Sequence, residues 1–245
     1  ISMPLMVLLP IMGIMSATQE WSQRTGLATF TLVPRRGRII AAKSIASLVL
    51  TLVLDALLLA SVWDTGVAAV HLGGWPAPLG ISLVVDRLSA LMLVVSALIT
   101  LAVLLYASAQ GLINRDEGGP VSIFHPTFLI LVAGVSNAFL AGDLFNLYVG
   151  FEILLTSSYV LLTMGGTAQR IRAGVTYVVV SVLSSVVFLI AIAMIYAATG
   201  TVNMADLAVK LGELPTDVQM VLHVLLLVGF GIKAAVFPLS FWLPD

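Results

Sequence analysis

Long apolar runs with few charges recur along this chain, broken by short polar connectors. A helix rises about 1.5 Å per residue and the hydrocarbon core of a bilayer is roughly 30 Å thick, so about 20 apolar residues make one span. Runs of that kind cover about residues 39–63, 83–106, 123–141, 144–164, 174–198 and 219–242. A further run over 3–15 is too short to span alone and holds Pro4 and Pro10, so it reads as the tail of another helix. The pattern predicts an all-α fold, a polytopic transmembrane helical bundle of about seven spans.

The connectors differ in character. Residues 17–43 carry Arg24, Arg35, Arg36, Arg38 and Lys43 against Glu20, whereas 64–82 has Gly73, Gly74, Pro76, Pro78 and Gly80 and no Lys or Arg. Residues 108–122 hold Arg115, Asp116 and Glu117, Gly142 and Asp143 are expected to form a tight turn, and 165–173 is expected to be a loop with Arg170 and Arg172. The last connector, 199–218, is mixed, with Asp206, Lys210, Glu213 and Asp217. Sorted by alternate connectors, the basic residues crowd one face, and by the positive-inside tendency the N-terminus lies outside and the far end on the cytoplasmic side. The basic residues follow the first apolar run instead of preceding it, which is not the order of a signal peptide.

Composition sharpens the class. Of 245 residues, 60% are hydrophobic and 9% charged, and mean hydropathy is +1.13; soluble domains carry about 25% charged residues. A net charge of −1 gives no sign of a nucleic-acid partner. The absence of cysteine excludes thiolate metal sites and disulfides. No metal-ligand cluster, phosphate loop or nucleophile–base signature stands in the sequence, so no metal, cofactor or covalent catalysis is expected.

The second span holds Asp55, and two further charges lie deep in later spans. Glu152 stands eight residues after Leu144, about 12 Å along a helix and so deep in the bilayer. A carboxylate there usually faces a bundle interior or wet cavity and handles protons or ions; the alternative is an acid that only pins helix packing. Lys233 stands in LLLVGFGIKAAVFPLSFW, between Gly229 and Gly231 on one side and Pro238 on the other. Pro238 removes the amide that would reach Ala234, and the two glycines weaken the helix, so the last span is expected to be discontinuous at the lysine. If Glu152 and Lys233 approach and separate, the proton affinity of the lysine changes with their distance; the alternative is a static ion pair.

The remaining candidates are weaker. Ser181, Ser184 and Ser185 in the sixth span allow close helix packing and could line a proton path. His125, in FHPTF, is a candidate relay or an interfacial residue, and Asp143 and Pro238 are candidate supporting positions. His223 reads as an outer or packing residue. Asp86 and Arg87 read as a solvated or locally paired couple near an interface.

The segments FHPTFLILVAGVSNAFLAGDLFNLYVGFEILLTSSYVLLTMGG, TYVVVSVLSS, GTVNMADLAVKLGELP and GFGIKAAVFPLSFWLPD resemble the D subunit of Mrp-type multisubunit cation/proton antiporters. That subunit is related to the proton-pumping membrane subunits of respiratory complex I. DRLSALMLVVSALITLAVLLYA fits its third helix, so the resemblance covers roughly residues 73–245. It implies that Glu152 and Lys233 are the coupled pair of a first half-channel. It also implies about fourteen helices in two inverted repeats for a whole subunit; this chain stops at the seventh, without the second repeat. The stretch SATQEWSQRTGLATFTLVPRRGRIIAAK, at about residues 17–43, resembles instead a segment of ABC-type exporter permeases.

Three regions follow: residues 1–63, a membrane region and candidate junction; 64–122, the third helix with its flanking loops; and 123–245, an incomplete proton-channel repeat. The chain opens on Ile1 without an initiator methionine and ends at Asp245 after FWLP, as expected of part of a longer product. The expected function is a membrane subunit of a monovalent cation/proton antiporter, with sodium as the cation, in a prokaryotic plasma membrane. Its partners would be the other subunits of a hetero-oligomeric complex, protons, monovalent cations and the lipid bilayer, with no nucleic acid. The alternative is a non-redox, proton-pumping subunit of an NADH:quinone oxidoreductase-like or hydrogenase-like complex. A third class is an inert or ABC-type permease fragment.

Overall fold

A computed structural model describes residues 36–78, 80–109, 121–240 and 242–243. The expected run over 3–15, and residues 17–35 of the permease-like stretch, lie outside them. The elements are α1 (Arg36–Thr65), a hairpin of β1 (Ala68–His71) and β2 (Ser82–Val85), α2 (Arg87–Ala109), α3 (Val121–Leu140), α4 (Leu144–Thr163), α5 (Ala168–Thr199), the short α6 (Met204–Lys210) and α7 (Thr216–Lys233). Six helices among the described residues, all but α6, are long and apolar enough to cross a bilayer. Helix is the form such segments take because every backbone amide and carbonyl must find a partner where no water is present.

The helices group into two compact units, α1 to α3 in one and the hairpin with α4 to α7 in the other. In the first, α1 packs on α2. The Arg87 guanidinium donates to the Trp63 carbonyl at 3.0 Å and lies 5.2 Å over the Trp63 ring. Asp86 caps α2: its Oδ1 accepts the Ser89 amide at 2.7 Å, and the Asp86 amide donates to Ser89 Oγ at 2.9 Å. The Ser89 amide holds the Asp86 carboxyl below the ordinary aspartate range. The two adjacent charges therefore take separate partners.

In the second unit α5 lies between α4 and α7. Its core is Leu144, Phe188, Ile192, Ile195, Leu207 and Leu222. Phe151, Phe188 and Phe230 form an aromatic cluster around it, with the Phe188 and Phe230 rings 4.9 Å apart.

Four boundaries differ from the sequence reading. The third span begins as strand: β2 ends at Val85 and α2 starts at Arg87. The connector expected over 165–173 shrinks to 165–167, because Thr167 accepts the Arg170 amide and starts α5 at Ala168. Gly165 and Gly166 make the reversal at φ of 91° and 62°, a region that suits glycine. Gly142 and Asp143 are not a free turn. They run between β2 and residues 202–204: Gly142 donates to Ser82 O at 2.8 Å and its carbonyl accepts the Met204 amide at 2.9 Å. A Cβ at 142 would fall 2.9 Å from Ser82 O, so only glycine fits that close approach. Finally, the run expected to reach Trp242 leaves the helix at Lys233.

Candidate functional site

The break after Lys233 is built so that no helix end is left bare. The Phe230, Gly231 and Ile232 carbonyls accept from the amides of Ala234, Val236 and Ala235. The Trp242 indole folds back onto Ile232 O at 3.1 Å. These bonds satisfy carbonyls that a helix terminus in lipid would otherwise expose at considerable cost. Pro238 lies in the turns beyond the break, and the helix has ended before its missing amide is needed. The residue preceding a proline resists the helical conformation, which places the stop upstream of Pro238.

The seam between α5 and α7 fixes where Lys233 points. Gly229 lets α7 close on α5, since a Cβ there would come within 3.3 Å of Phe188 Cβ. The Ser184 hydroxyl, fully buried, donates to the Gly229 carbonyl at 3.1 Å. One turn further along α7, and one turn back along α5 from Phe188, the Lys233 Nζ donates to Ser185 Oγ at 3.1 Å. The same ammonium lies 5.1 Å from the centre of the Phe151 ring, a cation–π distance.

Glu152 follows Phe151 on α4. Its Oε1 is enclosed and accepts no hydrogen bond among the described residues. The lysine thus rests on a serine and against the Phe151 ring, with Glu152 the next residue along α4. Beside the lysine is a cavity of about 210 Å³, lined by Phe151, Leu155, Tyr177, Ser181, Ser184, Lys233 and Trp242 among others. It is roomy enough for several waters and presents polar groups on one side. Tyr177 and Trp242 stand at it with ring centres 5.6 Å apart, and the Tyr177 hydroxyl bonds to Ser158 Oγ at 2.7 Å.

The other candidates separate. Ser181 lines the cavity. Asp143 has both carboxylate oxygens engaged, Oδ1 by the Asn146 amide at 2.7 Å and Oδ2 by the Ser82 amide at 3.2 Å, which makes it the cap of α4 and a clasp to the hairpin. Asn203, whose side chain bonds to Ser82 Oγ at 3.2 Å, completes that corner with His71, 2.9 Å from the same oxygen. His125 belongs to the first unit; it is 1% exposed, and neither ring nitrogen has a hydrogen-bond partner among the described residues. Asp55, in the same unit, is also buried, with Oδ1 unpartnered. His223 is exposed on α7 and bonds to its own helix at Gln219 O. Sequence reasoning did not set Ser185 apart from its neighbouring serines, and it missed Phe151. The available signal was spacing: Ser181, Ser184, Ser185 and Phe188 fall on one helical face.

Residues 141–245 match the family model described as "NADH:quinone oxidoreductase/Mrp antiporter, TM". Over those residues the chain is similar to this family. Over 184 residues it is 44% identical to the D subunit of the Na(+)/H(+) antiporter of Alkalihalophilus pseudofirmus, covering 75% of this chain and 36% of that one. The D subunit of a probable K(+)/H(+) antiporter of Rhizobium meliloti is 42% identical over 213 residues, 85% of this chain and 38% of its own length. Among solved structures, the Mrp complex from Dietzia sp. DQ12-45-1b matches with a TM-score of 0.80 at 30% identity, over 98% of this chain and 42% of the matched chain. The chain thus spans about two fifths of the length of the relatives it matches. Glu152, Lys233, Ser184 and Ser185 all lie in the part the family model covers.

Proposed function

We propose that this chain is the D-type membrane subunit of a prokaryotic monovalent cation/proton antiporter, working in the plasma membrane within a hetero-oligomeric complex, with protons passing by way of Glu152 and Lys233. The observation that carries the reading is the setting of Lys233. It ends a membrane helix beside a cavity, held by a neutral hydroxyl and set against the ring of Phe151, the residue before Glu152. A lysine in this position can take a proton from the cavity and hand it on, and the distance of the Glu152 carboxylate sets how tightly the proton is held. The Phe151 face and Ser185 keep the amine on station while the carboxylate moves relative to it.

Relatives named for sodium and for potassium both match, so the cation is put as a class with sodium as the first choice. The test is direct. Everted vesicles from cells expressing the chain in its own membrane complex are given a pH gradient, and sodium or potassium is added. Dissipation of the gradient on cation addition, lost when the chain is deleted and restored by its return, is the expected outcome. An unchanged gradient response in the deletion strain would remove the proposal.

A further inference from the structure

Most hydroxyls on α4 and α5 are committed as donors to backbone carbonyls. Thr156 donates to Glu152 O, Ser157 to Ile153 O, Ser158 to Leu155 O and Thr199 to Ile195 O. Ser184, beside Ser185 in sequence, donates across the seam to Gly229 O. Ser185 differs. It is 4% exposed, and among the described residues its Oγ bonds to Lys233 Nζ alone. Its hydroxyl proton is free to turn.

We infer that Ser185 is a positioning residue that seats Lys233 in both of its protonation states, and so lets the lysine give up its proton without leaving the cavity. The reading rests on the proton-relay role proposed above for Lys233. A serine hydroxyl is donor and acceptor at once, whereas an ionised carboxylate only accepts. When Lys233 is an ammonium, its N–H donates to Ser185 Oγ. Once the proton has left, Nζ carries a lone pair, and the Ser185 O–H rotates to donate to it. Glu152 as a carboxylate can accept from either form, more strongly from the ammonium, but has no proton to donate to the lone pair of the amine. The Phe151 face likewise favours the cation. Of these three groups, Ser185 alone can donate to the lone pair of the neutral amine, and it is the group to which the lysine is bonded in the structure.

The experiment compares Ser185→Ala, Ser185→Thr and Ser185→Cys with the parent chain and with Lys233→Ala, all in the full membrane complex in everted vesicles. Assembly is checked on native gels, and cation-driven dissipation of the pH gradient is followed from neutral to alkaline pH. Loss of the hydroxyl removes a hydrogen bond that is stronger to the charged amine than to the neutral one. Ser185→Ala is therefore expected to lower the maximal rate roughly tenfold and to displace the pH profile by about half a unit or more. Ser185→Thr, which keeps the hydroxyl, should restore the profile. If the alanine variant does not assemble, Ser185→Cys, close in volume but only a weak donor, carries the same comparison. An assembled variant without the hydroxyl that keeps the parent's pH profile, whether or not its rate falls, overturns the inference. If Lys233→Ala itself transports normally, the relay reading fails first, and the assignment of Ser185 falls with it.

Discussion

The Ser184 hydroxyl donates to the Gly229 carbonyl at 3.1 Å across the seam of α5 and α7, where Gly229 rests on Phe188. Without a hydrophobic driving force between helices in lipid, such seams depend on close packing and on polar contacts worth about 0.6 kcal/mol on average. A leucine at 229 would have to push α7 off Phe188, overpacking the seam by ~1–3 kcal/mol. Gly229→Leu is expected to move Lys233 off Ser185 and to abolish transport. Gly229→Ala should cost less, because its Cβ would meet Phe188 Cβ at 3.3 Å, a contact that a shift of a few tenths of an ångström relieves. Melting of the purified complex and vesicle transport would check both; a fully active Gly229→Leu would show that the seam does not set the site.

Lys233 separates a cycling proton from a fixed charge. Lys233→Ala and Glu152→Ala should each abolish proton-coupled cation exchange while the complex still assembles. Lys233→Arg should fail as well, since a guanidinium holds its proton with a pKa above about 12 and cannot cycle. Transport in everted vesicles is the readout, and parent-level exchange by the arginine variant would mean that only a positive charge is needed.

Asp143 is expected to anchor the fold and not to carry protons, because both its oxygens are already held by backbone amides. Asp143→Ala removes the α4 cap and leaves the buried Ser82 amide without its acceptor, a loss of about 2 kcal/mol in all. Asp143→Asn keeps the capping oxygen for the Asn146 amide but turns an NH2 toward the Ser82 amide, so it should lose part of that stability and, once assembled, retain more than about half of the transport rate. Thermal inactivation reports the first effect and vesicle transport the second. An assembled Asp143→Asn complex without transport would make this aspartate a relay.

Arg170 and Arg172 stand in the first turns of α5, next to the short connection at 165–167, whereas residues 72–80 carry no basic residue. The positive-inside tendency places the first on the cytoplasmic side and the second outside. A reporter inserted at 165–167 should be cytoplasmic, and one at 72–80 external. Labelling of both from the same side would refute the orientation.

Span positions and the two in-span charges Glu152 and Lys233 were legible in the sequence because both are local properties. A run of about 20 apolar residues is a span wherever it packs, and a glutamate or lysine within it stands out at once. Pro238 and the glycines marked the broken helix, though not its stopping point, which depends on turns folding back onto the Gly231 and Ile232 carbonyls. The corner formed by Ser82, Asp143 and Asn203 was illegible, since its members come from three segments up to 121 residues apart. The same holds for the partner of Lys233. In TYVVVSVLSS, Ser181, Ser184 and Ser185 have the same local composition around them, and nothing in that stretch says which one meets a lysine 48 residues later. Only the register of α7 on α5, set where Gly229 closes on Phe188, leaves Ser181 and Ser184 on the wall of the cavity, turns the Ser184 hydroxyl to a carbonyl and gives Ser185 to the amine.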